Sequence, residues 1–143
     1  MALHRSVAGI AREGGKFFIA RRVSGGDLGG KWEFPGGKVE AGESDEDALI
    51  REYDEEFKVM IQPGAFLGAV SFEHRGIIHT LNAYRIYFSG MDFTLREHTE
   101  WRWAGLEEME KLDFAGSDRK LFYCLKSYFD GEISGQGGKG SPC

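Results

Sequence analysis

Residues 37–59 read GKVEAGESDEDALIREYDEEFKV, and eight of the fourteen positions from Glu43 to Glu56 are acidic against one base, Arg51. Leu49, Tyr53 and Phe57 recur at every fourth position, the spacing of one apolar stripe on a helix. Ser44 stands where an N-cap belongs, and Asp45, Glu46 and Asp47 in the first turn suit the positive end of the helix dipole. The helix is expected to end near Lys58. Helix stability does not account for the remaining acids. Glu52, Glu55 and Glu56 lie towards the C-terminal end, where the dipole disfavours them, and at i, i+3 and i+4 they share one arc and repel. A hard divalent cation that prefers oxygen ligands fits this arrangement best; the alternative is a solvated acidic face. Gly36, Gly37 and Gly42 ahead of the helix allow a tight turn and a close backbone approach to a ligand.

Outward from this helix, the patterns are those of an α/β chain. Strands are expected over His4–Ala11 and Lys16–Arg22, around a turn at Glu13-Gly14-Gly15. Ser24–Gly30 reads as a glycine-rich loop and Trp32–Phe34 as a short strand. Ala65–Arg75 and Ile77–Phe88 form a long hairpin turning near Gly76, followed by a polar loop over Ser89–His98. Trp101–Ala104 is a short strand and Leu106–Leu112 a short helix. Ser117 is placed to cap a last helix over Asp118–Phe129, with Leu121, Phe122, Leu125 and Phe129 inward. Residues 1–130 thus form a single domain. The stretch 131–143 carries five glycines and no core-forming pattern, and is expected to be a disordered tail. A mixed sheet with helices on both sides accounts for this order.

Composition narrows the function. A chain of 143 residues with 41% hydrophobic and 29% charged residues is an ordinary globular domain, and its eleven phenylalanines and three tryptophans supply core bulk. No apolar run approaches the roughly 20 residues that span a bilayer, and MALHRSVAGI lacks the apolar centre of a signal peptide. A cytoplasmic protein with no membrane partner is expected, and two cysteines are too few for a disulfide framework. A net charge of −5 argues against a nucleic-acid polymer as partner. It is compatible with a small nucleotide whose phosphates are bridged to carboxylates by divalent ions.

The order Gly37, Glu43, Arg51-Glu52, Glu55-Glu56 resembles the box of the Nudix hydrolases, and Lys31-Trp32-Glu33-Phe34-Pro35-Gly36 is similar to its MutT-like branch. Tyr53 and Lys58 depart from the pattern, standing where an aliphatic residue and a glycine are usual. The resemblance covers about residues 4–129 and implies a Nudix-type α/β/α sandwich. It also implies metal-dependent hydrolysis of a (d)NTP to a (d)NMP and pyrophosphate, in nucleotide-pool sanitation that protects DNA. 8-oxo-dGTP and cytosine nucleotides are candidate substrates. The alternatives are a nucleotide sugar or dinucleoside polyphosphate as substrate, or a non-catalytic nucleotide-binding regulator.

By this resemblance Glu52, Glu55 and Glu56 bind Mg²⁺ or Mn²⁺, with the Gly36 carbonyl as a further ligand. Glu52 is the candidate general base, and Arg51 orients the glutamates through a bidentate pair. Glu43 is either an outer ligand or a helix-start stabiliser. Glu97, six residues before Trp103, is the expected loop ligand, with Glu100 its competitor. Arg22 meets phosphate or ribose or lies at the surface. Lys38 steadies the leaving phosphate or is solvated. Phe34 walls the base or belongs to the core. Asp118, fifteen residues after Trp103, reads the base edge or stabilises a helix start. The base, the sugar and the choice between monomer and homodimer stay open.

Overall fold

The computed structural model describes residues 3–25 and 29–133. Its elements are β1 (Leu3–Ile10), β2 (Arg12–Glu13), β3 (Lys16–Arg22), β4 (Trp32–Glu33), β5 (Gly36–Lys38), α1 (Asp45–Phe57), β6 (Ile61–His74), β7 (Ile77–Phe88), β8 (His98–Ala104), α2 (Leu106–Glu110) and α3 (Gly116–Ile133). Among the described residues the strands make two four-stranded sheets. One runs β5-β1-β7-β6, with β1 and β7 parallel; in the other, β3 pairs with β2, β4 and β8. The mixed sheet is therefore present in two parts.

Strand alternation sorts the core into two layers. Ala8, Ile10, Phe17, Ile19, Leu81, Ala83 and Ala104 face Leu121, Phe122, Leu125 and Phe129 of α3. Val7, Phe18, Ala20 and Ile86 face Leu49, Tyr53 and Phe57 of α1. β1, β3 and β7 thus bury residues on both faces, and the α/β/α sandwich follows. The four inward residues expected in α3 and the three in α1 are all buried.

Local chemistry sets the turns. Ser44 caps α1 by accepting from the Asp47 N–H, and Asp45 ties the helix start to β7 by accepting from Asn82 (3.0 Å) and the Tyr84 hydroxyl (2.7 Å). Lys58 takes the left-handed conformation (φ 55°) that closes the helix, donating its N–H to the Asp54 carbonyl, so lysine here does what glycine usually does. The hairpin turns through Arg75 and Gly76, both at positive φ (52° and 75°), as the right-handed twist of the flanking strands favours. Tyr53 satisfies its buried hydroxyl on the carbonyls of Pro35 (3.0 Å) and Gly9 (3.3 Å).

Several boundaries differ from expectation. Gly36–Lys38 is a strand rather than a turn: it pairs with β1, where Gly36 crosses so close to Val7 that a Cβ would overlap the Val7 carbonyl. β6 begins at Ile61, because Pro63 falls where the ladder shifts register and so breaks no regular pairing. β8 begins at His98, inside the expected polar loop. Ser117 does not cap α3; it lies within the helix, which begins at Gly116. That helix also runs to Ile133, past its expected end, and the rest of the 131–143 tail lies outside the described residues.

The Tyr53 contact predicts a measurable coupling. A Cβ on Gly9 would lie 2.7 Å from the Tyr53 hydroxyl and 2.8 Å from Ile86 Cδ1. Gly9→Ala is expected to destabilise by about 1–3 kcal/mol through overpacking. In a Tyr53→Phe background the same change should cost less, and a double-mutant cycle by urea denaturation measures the difference. Equal costs in both backgrounds would show that the hydroxyl does not fill that space.

Candidate active site

The site lies where the C-terminal half of α1 meets β4, β5 and the start of β8. Arg51 is its organising cation. Its Nε and Nη2 bond both oxygens of Glu43 (2.7 and 3.0 Å), its Nη1 bonds Glu52 (2.9 Å) and Glu55 (3.3 Å), and Nη2 also reaches the Lys38 carbonyl (2.9 Å). The bidentate pair is thus made with Glu43, and Arg51 holds Glu52 and Glu55 of α1 by single bonds. Glu43 is kept at about 2 by the Arg51 guanidinium, which makes it a fixed anion and a strut.

The three helix carboxylates occupy different environments. Glu55 is exposed. Glu52 is mostly buried and lies against Gly37, where any side chain would collide with its carboxyl group. Burial raises Glu52 above the usual carboxylate range, aided by Glu55 and Glu97, while Arg51 opposes the shift. Glu56 is only 3% exposed, and its Oε2 has no hydrogen-bond partner. Burial, then the nearby Glu33 and Glu52, push Glu56 up to about 10. The arc inferred from helix spacing therefore holds one solvated acid, one buried acid under Arg51, and one acid inside the protein.

Glu97, exposed just before β8, lies close enough to Glu56 to help push that acid up. Glu100 instead turns outward to Arg102 (3.2 Å) and Arg21 (3.6 Å). Arg22, half-buried at the end of β3, pairs with Glu33 (3.2 Å). Phe34 is buried against Phe114 in the core. Lys38 is exposed on β5, along a groove shared with His4, Arg5 and Glu43. Asp118 is buried; its Oδ1 accepts the Phe34 N–H (2.9 Å), so the start of α3 is tied to the strand before the helix. Burial raises Asp118 well above the usual carboxylate range, with Glu33 adding to the shift.

Two residues of the site escaped sequence reading. Glu33 and His98, on β4 and β8, bond side chain to side chain (2.8 Å), and together with Glu56 they place ligand atoms within 4.8 Å of one another. Glu33 stands inside the quoted Trp32–Gly36 run and His98 directly follows Glu97, but neither spacing shows that they meet across β3.

Oxygen donors crowded to this degree, one buried and unpartnered, suit a hard divalent cation. Among the described residues, Glu33, Glu56 and His98 are the group whose ligand atoms converge closely enough to hold one.

The NUDIX domain profile matches residues 6–123, and the chain belongs to that family. It is 33% identical over 121 residues to the CTP pyrophosphohydrolase of Escherichia coli K12, covering 85% of this chain and 90% of that protein. It is also 33% identical over 120 residues to the 8-oxo-dGTP diphosphatase of Haemophilus influenzae, covering 82% and 88%. Among solved structures, the E. coli ORF135 protein superposes with a TM-score of 0.81 at 32% identity, covering 90% and 92% of the two chains. The MutT protein of Methanosarcina mazei Go1 follows at 0.77 and 30%, covering 92% and 96%. Among the described residues no helix is long and apolar enough to cross a membrane.

Glu56 predicts a pH-dependent stability. Its folded-state value of about 10 lies above the ordinary 4.5, so its favourable neutral form is fully present below about pH 4.5 and stability is lost as pH rises towards 10. Without metal, Glu56→Gln should gain stability relative to the parent as pH increases from 6 to 9, measured by chemical denaturation. A constant difference across that range would remove Glu56 as an ionising buried group.

Proposed function

We propose that this protein is a metal-dependent nucleoside triphosphate pyrophosphohydrolase acting on the free nucleotide pool. The observation that carries the reading is Glu56, buried with one oxygen unpartnered and neighboured by Glu33, Glu52 and Glu97 beside the Arg51 hub. Such a cluster is costly to keep in a protein without a cation to neutralise it. The reaction adds water across a phosphoanhydride bond and releases a nucleoside monophosphate and pyrophosphate. Mg²⁺ or Mn²⁺, when bound, neutralises the bridging phosphates and lowers the pKa of water.

Protein groups do the rest. Glu52, raised above the usual range and oriented by Arg51, takes the proton from the attacking water. Glu55, Glu56 and Glu97 complete the oxygen donor set, with the Gly36 carbonyl beside them. Lys38, exposed on β5, steadies the departing phosphate. Asp118 meets the base edge with the oxygen not given to Phe34, and Phe34 supports that wall from the core. The names of the two curated relatives favour 8-oxo-dGTP and cytosine nucleotides as the first substrates to test. The enzyme belongs to the cytoplasm, where those substrates form, and protects DNA by removing them before incorporation.

The test is turnover on a panel of 8-oxo-dGTP, dGTP, CTP, dCTP, an ADP-sugar and a dinucleoside polyphosphate, with products resolved by chromatography. Excess chelator should abolish hydrolysis, and Mg²⁺ or Mn²⁺ should restore it. Glu56→Gln should lose at least about a hundredfold in kcat. Full turnover in chelator would sink the mechanism, and a preference for the ADP-sugar or dinucleoside polyphosphate would move the protein to another branch of the family.

Base choice is expected to depend on Asp118. Asp118→Ala should change relative kcat/KM among the bases by roughly ten- to a hundredfold, the cost of one lost hydrogen bond at about 1–3 kcal/mol. Asp118→Asn keeps an acceptor for Phe34 and adds a donor, and should move preference towards guanine-type edges. A parallel loss on every base would give Asp118 a purely structural role.

A further inference from the structure

Strand β8 departs from its own alternation at one point. Trp103 and Trp101 face the α1 layer and Ala104 the α3 layer, so a step of two places Thr99 on the α1 face and His98 on the opposite one. The reverse is found: Thr99 is exposed and the His98 side chain is fully buried. The register shows why, since Arg21 pairs with Glu100 but Arg22 pairs with His98, leaving Thr99 as the extra residue of a bulge. Bulges of this kind re-aim a side chain.

What the bulge aims is an imidazole with two contacts. His98 Nε2 bonds Glu33 Oε2 at 2.8 Å, and the ring stacks on Phe57 at 5.0 Å and 13°. Phe57 is the last residue of α1 and follows Glu56. Glu97 immediately precedes His98; its carbonyl accepts the Val23 N–H (3.1 Å), and its carboxyl group lies near enough to Glu56 to push that acid up. The start of β8 is therefore fastened to β4 through Glu33, to α1 through Phe57, and to β3 through backbone.

We propose that His98 is a positioning residue for the metal site: bonded to Glu33 and stacked on Phe57, it fixes where the adjacent Glu97 meets Glu56. The idea rests on the reading of Glu56 and Glu97 as metal ligands. A hydrogen-bonded support of this kind typically contributes 10–100-fold to metal affinity when it is removed.

The test is Mn²⁺ binding to the metal-free protein, read from the free-ion EPR signal without substrate. Gln carries a terminal amide out to the position of the imidazole Nε2, whereas the Asn side chain stops short of Glu33. His98→Asn is expected to weaken Mn²⁺ binding about 10–100-fold, and His98→Gln to keep it within about threefold. If the Asn variant does not fold, His98→Met, which fills the volume without a donor, makes the same comparison with Gln. A merely structural histidine would lower thermal stability in these variants while leaving Mn²⁺ affinity unchanged, and that result would overturn the proposal. Glu97→Gln separates the two levels. Weakened binding in Glu97→Gln with unchanged binding in the His98 variants rejects the positioning role alone. Unchanged binding in Glu97→Gln rejects Glu97 as a ligand, and the inference with it.

Discussion

The guanidinium of Arg51 is the interaction on which the site depends. Four glutamates crowd one helix and the loop before it, and their mutual repulsion would splay them apart. A single planar cation gathers Glu43, Glu52 and Glu55 and, through the Lys38 carbonyl, binds the loop to the helix. Lysine has the charge but not the fork geometry needed to hold Glu43 by both oxygens while reaching Glu52 and a carbonyl. β5 and the loop that runs from it to Glu43 are consequently held against the last two turns of α1.

Behind that hub the acids become progressively more buried. Glu55 is in water, Glu52 lies under Arg51 against Gly37, and Glu56 is inside with a free oxygen. The gradient separates roles that share one chemical identity. A solvated carboxylate remains an ordinary anion, a partly buried one gains basicity, and a fully buried one stays protonated until a cation replaces its proton. Glu33 carries its own compensation, pairing with Arg22 and His98. Placing one more carboxylate beside it leaves Glu56 as the group without a partner.

The cores on either side of the sheets serve this arrangement. Tyr53 packs in the α1 layer and anchors its hydroxyl on the Pro35 carbonyl, directly before the Gly36-Gly37 pair. Asp118 anchors the Phe34 N–H from the other side. The short segment Phe34-Pro35-Gly36 is therefore fixed from both helices, through a phenol and a carboxyl group. Tyr53, the departure from the usual aliphatic residue, adds an anchor that an aliphatic side chain lacks.

Much of this was legible in the chain itself. The period-four stripe Leu49, Tyr53, Phe57 fixed the buried face of α1, Ser44 marked its start, and Arg51-Glu52 with Glu55-Glu56 marked the family, because local periodicity and motif spacing depend only on neighbours along the helix. What sequence spacing does not reach is depth and pairing across strands. Glu56 lies on the same arc as its neighbours, and only the packing of α1 onto the sheet decides that it is buried. Glu33 and His98 are distant in sequence and meet only because β4 and β8 flank β3. Gly36–Lys38 became a strand because β1 offered it an edge, and the bulge at Thr99 turned His98 inward against the strand period. Each of these depends on a long-range contact, and a chain position by itself carries no information about what will lie across from it.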